Sequence, residues 1–385
     1  MPSSCTVALD WTPNTNHAGF YVAQADGLYA SAGLEVTLLS PDAASAGGKT
    51  PARLVEAGEA TYAVAPSETA ISYATTDPGK PRLVAVAALL QGSPSAICTL
   101  KSSGIDRPAA MAGKRYASYE LTLALALNLA LNLAPSPSPS PSPSPSPGPG
   151  PGPGPNPCPS PTLTRYASYD GRFEDPIVSR MVSNDGGDGS KVEFHSLDFH
   201  GYADADTVGA GSVVASYLEK GASDSTWIFP SWEGVLAERA GQQLNCFALE
   251  DYGVPYGYSP VLLAHPDQLE AGAEATRAFL AATAEGYRRA AADPAKAAAA
   301  LCACGHASLA DRAFVEASAE HIRGKFLTPS GAWGAMEETR WVQFVDFLAQ
   351  AAILTDRQKQ PIPRESVDAA KLFTNSFLPT GGGAN

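Results

Sequence analysis

Basic charge is scarce in this chain. Lys and Arg together number 26 against 39 Asp and Glu, a formal net charge of −13, and charged residues of both signs make up only 17% of the 385 residues. So few cations offer little to a phosphate backbone or an anionic lipid surface, which excludes nucleic acid and membrane surfaces as main partners. A local anion site stays compatible with the balance. Cysteine is sparse as well: Cys5, Cys98, Cys158, Cys246, Cys302 and Cys304 are scattered, as expected of buried or free thiols rather than a disulfide framework. Cys302-Ala303-Cys304-Gly305-His306 is the one cluster. C-x-C is a poor chelate spacing and no second ligand pair accompanies it, so no metal site is assigned. Met1 to Asp10 lacks a basic region followed by an apolar stretch, and no segment reads as a membrane span. The chain therefore reads as cytoplasmic.

Charge is missing altogether from Leu121 to Leu163. Leu occupies every odd position from Leu121 to Leu133, a period of two that suits an edge strand or a sticky disordered segment. Fourteen of the 33 prolines then fill every odd position from Pro135 to Pro161, where extended polyproline II is expected. No compact domain can be built from such a tract. Its flanks repeat: Arg115-Tyr116-Ala117-Ser118-Tyr119-Glu120 returns as Arg165-Tyr166-Ala167-Ser168-Tyr169-Asp170. That duplication fits either a low-complexity insertion or a mispredicted gene model, with the second preferred, and the tract is expected to be functionally silent.

The remaining length predicts two domains, or one pair around a cleft, with 44% hydrophobic residues sufficient for a normal core. Strands are expected at Thr6 to Leu9, Leu34 to Leu39, Tyr62 to Ala65 and Arg82 to Leu89, alternating with helices from His17, from Pro51 and from Thr69. This βαβαβ succession predicts a parallel sheet with crossover helices. A second α/β block starts at Ile177, and the Ala-rich stretch from Ala271 to Cys302 predicts helix. The expected class is α/β, two lobes around a ligand cleft: 1–115 as the first part of lobe I, 116–165 as the insertion, 166–250 as lobe II, and 251–385 as a return to lobe I with C-terminal helices.

Leu9-Asp10-Trp11-Thr12-Pro13-Asn14, followed by His17, Gly19, Tyr21 and Ala23 and then by Gly27-Leu28-Tyr29 and Gly33-Leu34-Glu35-Val36, resembles the thiamine pyrimidine synthase family. That family's relatives include carriers of formylaminopyrimidine and SsuA-like solute-binding proteins. The resemblance resumes at Ala65-Pro66-Ser67-Glu68, at Trp232-Glu233-Gly234 and at Asp251-Tyr252-Gly253-Val254-Pro255-Tyr256. It implies a type II periplasmic-binding-protein fold and a place in thiamin-pyrimidine chemistry. It also implies a lysine-held pyridoxal phosphate, a sacrificed histidine in the same turn, a cysteine run near the cleft, and iron. Here that turn reads Val64-Ala65-Pro66-Ser67-Glu68-Thr69-Ala70, without Lys or His, and Val254-Pro255-Tyr256-Gly257-Tyr258 stands where the cysteines belong. An aldimine needs a primary amine, so pyridoxal phosphate and iron are expected only if another lysine, Lys49 or Lys80, serves.

Several residues remain as candidates for binding. Trp11 offers a flat stacking face, with a lid on the lobe core as the alternative. Asn14 reads first as a helix cap, and His17 either as a ligand contact or as a structural group. Ser67 and Glu68 open a helix toward the cleft, where they either favour a polar head or simply cap. Glu233, beside Trp232 at the end of an apolar strand, can pair the amidine-like edge of an aminopyrimidine. Ser168, Tyr169, Gly171 and Arg172 fall where the family places a phosphate loop, although Asp170 would oppose an anion. Tyr252, Tyr256 and Tyr258 can wall the cleft. The leading expectation is a binder of an aminopyrimidine, free or phosphorylated; an active synthase and a solute-binding transporter component are the alternatives. A homodimer is left open.

Overall fold

A computed structural model of the chain describes residues 3–47, 49–75, 82–118, 173–196, 214–356 and 360–379. The Leu and Pro tracts and Ser168, Tyr169, Gly171 and Arg172 lie outside the described residues.

β1 (Ser3–Ala8) sits between β2 (Leu34–Leu39) and β3 (Tyr62–Ala65) and runs parallel to both. β3 is buried along its whole length, whereas β2 alternates Leu34 and Val36 inward with Glu35 and Thr37 outward, as a strand at the sheet edge should. Between β1 and β2 lie α1 (Ala18–Ala25) and α2 (Leu28–Ser31); α3 (Pro51–Glu56) leads into β3 and α4 (Ser67–Thr75) follows it. β4 (Val84–Ala88) ends this first half. The second half contributes β5 (Ala96–Leu100), β6 (Arg115–Ser118), α5 (Glu174–Asn184), β7 (Glu193–Ser196), β8 (Ser225–Ile228), a π-helical turn Pro230–Gly234, α6 (Val235–Arg239) and β9 (Leu244–Ala248). β10 (Val261–Ala264) returns to the first sheet. α7 (Pro266–Ala271), α8 (Ala273–Ala292), α9 (Pro294–Cys302), α10 (Arg312–Ile322) and α11 (Glu338–Gln350) follow it.

The two sheets have the orders β2-β1-β3-β10-β4 and β7-β6-β8-β5-β9. In each, three parallel strands are followed by one antiparallel strand that arrives directly from a crossing between the lobes, β10 in the first and β5 in the second. Both sheets are therefore mixed, where the βαβαβ reading expected a parallel one. The chain also leaves the first lobe at 89–95, because β5 already pairs with β8 and β9; the division at residue 115 comes one strand too late. An apolar run reports burial and is silent about direction and partner, which is why neither point shows in the pattern.

The helices pack where side chains are small. A Cβ on Gly19 would stand 2.1 Å from the Tyr287 ring, and one on Gly286 would stand 2.1 Å from the Gly19 carbonyl, so α1 and α8 touch backbone to backbone. Phe279 of α8 stacks on Tyr62 at 4.5 Å and anchors α8 to β3. The Ala-rich stretch is two helices, α8 and α9, separated at Asp293-Pro294, since Pro starts a helix well and continues one poorly. A continuous core runs from Ala63 and Val261 of the first sheet through Tyr256 and Phe344 to Ile97 and Phe247 of the second.

β6 is the strand next to the unusual tract. Tyr116 is fully buried and donates to Glu174 Oε1 at 2.9 Å, Arg115 pairs with Asp224 at 3.3 Å, and Thr226 donates to the Ala117 carbonyl at 2.9 Å. Residues 165–168 repeat Arg-Tyr-Ala-Ser. Deleting 116–165 therefore rejoins the strand with an identical sequence, and the shortened protein is expected to be soluble and to melt cooperatively in a calorimetric scan; aggregation or a non-cooperative trace would show that the tract is needed for folding.

Candidate functional site

Four elements meet at Glu68. β3 ends at Ala65 and α4 opens at Ser67, whose N–H donates to the Tyr258 carbonyl at 3.0 Å and so ties lobe I to the second crossing segment, 249–260. Ser67 Oγ is buried without a hydrogen-bond partner and lies against Gly257, where a Cβ would come within 2.5 Å of it. Glu68 Oε1 accepts a hydrogen bond from the Tyr256 hydroxyl. Its other oxygen, Oε2, is buried and has none. Burial pushes the Glu68 carboxyl up to about 7, with the Tyr256 hydrogen bond pulling the other way. The Tyr256 ring in turn meets Trp227 of β8 edge-on at 5.8 Å and Phe344 of α11 at 4.8 Å. The carboxyl thus keeps one buried oxygen without a partner, and the tyrosine that binds its other oxygen is packed between aromatic rings from lobe II and from the C-terminal helices.

A second group forms around the loop after β1. Asn14 Oδ1 accepts from Asn16 N–H at 2.9 Å, and Asn14 N–H donates to His17 Nδ1 at 3.3 Å, a reciprocal cap on the 3₁₀ turn Thr15–His17. His17 is fully buried, and its Nε2 lies 2.8 Å from Asp10 Oδ1. With Nδ1 accepting, Nε2 carries the proton and donates to Asp10. Both ring nitrogens are therefore engaged within the chain, and the structural alternative describes His17. Trp11 is half-buried in the bend before Asn14. Thr15 Oγ1 lies 2.7 Å from Ser318 Oγ, which donates to the Ser231 carbonyl at 2.5 Å, so α10 bridges this loop to lobe II. Trp232 packs edge-on against Phe314 of α10 at 4.6 Å. Glu233 serves a structural purpose, because its Oε2 accepts the Phe229 N–H at 2.9 Å at the head of its own helical turn. Burial lifts this carboxyl to about 7 also.

The arrangement brings Ser67, Glu68 and Tyr256 together, and places Asn14, His17, Trp232 and Glu233 in the α10-bridged group. Trp227 and Phe344 were missed by the sequence reading. Trp227 lies inside the apolar stretch 225–229, whose alternation could have singled it out; Phe344 carries no signal beyond helical periodicity. Tyr252 packs on Phe247 at 6.0 Å, and the Tyr258 hydroxyl accepts from the Glu337 N–H at 2.9 Å beneath the Arg340 guanidinium. For pyridoxal phosphate the residues do not fit: the turn after β3 offers a buried serine and a bonded carboxyl, and neither forms an aldimine. Lys49 is exposed and paired with Glu59, and Lys80 lies outside the described residues. Among the described residues no group of three or more His, Cys, Asp or Glu side chains could hold a metal ion, and no helix is long and apolar enough to cross a membrane.

Two α/β lobes of matching strand order, each completed by a strand from a crossing segment, define a two-lobed periplasmic-binding-protein-like fold of the ligand-binding kind. The chain belongs to the NMT1/THI5-like family, whose model matches residues 14–131 and 164–297. Among solved structures it is similar to the periplasmic aliphatic sulphonate-binding protein SsuA of Escherichia coli, at 12% identity over 100% of this chain and 96% of that one with a TM-score of 0.59. It is similar also to the alkanesulfonate-binding protein SsuA of Xanthomonas axonopodis pv. citri bound to MOPS, at 13% identity over 97% and 98% with a TM-score of 0.57. A Candida albicans protein described as having the generic periplasmic binding protein fold gives 14% identity over 99% of both chains and a TM-score of 0.54. No curated protein sequence matches.

The raised Glu68 carboxyl makes stability depend on pH. Its folded value of about 7 lies above the ordinary 4.5, so the folded state holds the proton more tightly, and the stabilisation is present at acid pH and lost as pH rises through about 7. Glu68→Gln keeps an acceptor for Tyr256 and removes this titration. Denaturant unfolding is expected to show wild type losing on the order of 1–3 kcal/mol between about pH 5.5 and 8, with a visibly shallower loss in the variant; equal slopes would place the carboxyl in solvent.

Proposed function

We propose that the protein is a small-molecule binder that takes an aminopyrimidine-like heterocycle, free or phosphorylated, between its lobes. The observation that supports this is the buried, unpartnered Oε2 of Glu68, whose other oxygen is held by Tyr256, a ring that itself packs on Trp227. The exocyclic amino group of such a ligand donates to this oxygen, and aromatic rings suit the flat heterocycle. Tyr256 holds the carboxyl in place through Oε1. Binding requires no cofactor, and nothing in the turn after β3 supplies the amine of a synthase.

A second reading is a solute-binding component of a transporter that takes an anion such as a sulfonate. The shared fold of the two SsuA proteins favours it. The Glu68 and Glu233 carboxyls weigh against it, since each repels an anion once ionised. Calorimetric titration with 4-amino-5-hydroxymethyl-2-methylpyrimidine, its phosphate and an alkanesulfonate separates the two. Pyrimidine binding is expected, weakened about tenfold or more by Glu68→Gln and also by Trp227→Ala. Sulfonate binding alone would establish the second reading, and pyrimidine binding indifferent to both substitutions would move the site elsewhere.

A further inference from the structure

Cys98 of β5 stands directly opposite Cys246 of β9 in an antiparallel pair. The Lys101 N–H donates to the Gln243 carbonyl at 2.9 Å, which marks Lys101 and Gln243 as a hydrogen-bonded pair in the same register. Hydrogen-bonded and non-hydrogen-bonded pairs alternate along such a ladder, so Cys98 and Cys246, three steps further on, form a non-hydrogen-bonded pair. In pairs of that kind the Cα atoms are about 4.5 Å apart with both side chains on one face, inside the roughly 4.4–6.8 Å that a disulfide spans. Both are free thiols here, Cys98 buried and Cys246 exposed.

We propose that Cys98 and Cys246 are a site of reversible disulfide formation across β5 and β9, with a small-molecule disulfide such as oxidised glutathione as co-reactant. Cys246 reacts first because it is the accessible thiol. Burial pushes it up, but the nearby Lys101 ammonium opposes that rise, whereas Cys98 is held well above the ordinary thiol range by burial, with Cys246 and Glu233 adding to it. The Cys246 thiol loses its proton to solvent and attacks one sulfur of the small disulfide, forming a mixed disulfide and releasing one thiolate, which takes up a proton. Cys98, deprotonated in turn, attacks the Cys246 sulfur and expels the second small thiolate, protonated likewise. Two cysteine thiols are oxidised and one disulfide is reduced to two thiols.

The consequence is mechanical. β9 is the edge strand of the second sheet and pairs there with β5. β5 starts where the first crossing segment ends, and β9 ends where the second begins. A bridge between them pins the edge strand and ties both crossings at their lobe II roots, without touching Glu68, Tyr256 or Trp227.

The full chain is incubated in glutathione buffers of rising oxidised fraction, quenched with acid, digested and mapped by mass spectrometry, alongside a melting scan of each sample. A peptide pair joining Cys98 to Cys246, lighter by two hydrogens, cleaved by added thiol and accompanied by a melting temperature a few degrees higher, is the expected result. Cys246→Ser, at an exposed position, should fold like wild type under reducing conditions and lose both the bridge and the shift. Cys246 arrested as a glutathione mixed disulfide overturns the proposal, as does oxidation that joins Cys302 to Cys304 and leaves Cys98 a thiol. A bridge that forms with no change in melting refutes the pinning of β9.

Discussion

The completion of each sheet by the strand that arrives from a crossing is the constraint on which the rest of the molecule depends. Without β10, β3 and β4 in the first sheet have no neighbour between them; without β5, β8 and β9 in the second are likewise separated. Each lobe therefore completes its sheet only because the chain crosses twice. The crossings are paired with each other, Leu89 N–H to the Pro260 carbonyl at 3.0 Å and Ser259 N–H to the Gly92 carbonyl at 3.2 Å. Tyr256, which orients Glu68, and Tyr258, whose carbonyl accepts from Ser67, both lie on the second crossing. The candidate site is thus built on the segment that any relative movement of the lobes would bend.

α11 stiffens that segment. Arg340 donates to Glu250 at 2.6 Å and to the Tyr256 carbonyl at 3.2 Å, and its guanidinium lies 5.3 Å from the centre of the Tyr258 ring. The ion pair with Glu250 is exposed and contributes little by itself. Its value is geometric, because the same guanidinium fixes a backbone carbonyl and an aromatic face within one turn of chain. α10 acts similarly on the other group, where Ser318 receives from Thr15 and donates to Ser231 in a buried hydroxyl relay between the lobes.

What could be read from the sequence follows from range. Strands β2 and β3 lie at the expected residues, because alternation at 34–39 and a short apolar run at 62–65 are local signals. The helix after β3 starts at Ser67, two residues before the expected Thr69, since Pro66 sets the preceding turn. The Asn14 cap was legible for the same reason: donor and acceptor are two or three residues apart. Glu68 and Tyr256 are 188 residues apart, and no periodicity links them. Glu233 misled because an isolated carboxyl after an apolar strand looks unexplained until the Phe229 N–H four residues back is seen to need an acceptor. The antiparallel placement of β5 and β10 was hidden too: a buried strand reads alike whether its neighbour runs parallel or antiparallel.

The two buried carboxyls differ in what holds them. Both sit near 7 because desolvation penalises the charged form, and each has one oxygen bonded within the chain. Glu233 receives a backbone N–H from its own turn through Oε2, which fixes that oxygen at the head of the turn. Glu68 receives the Tyr256 hydroxyl, a group that can rotate and that stays on Oε1 while Oε2 accepts a new donor. A donor at Oε2 stabilises the ionised form against the desolvation that raises it, so occupation of the site and ionisation of Glu68 favour each other. An anionic group in the same place would drive the carboxyl the other way, toward its protonated form. The charge state of Glu68 is therefore coupled to the charge of whatever group lies against Oε2.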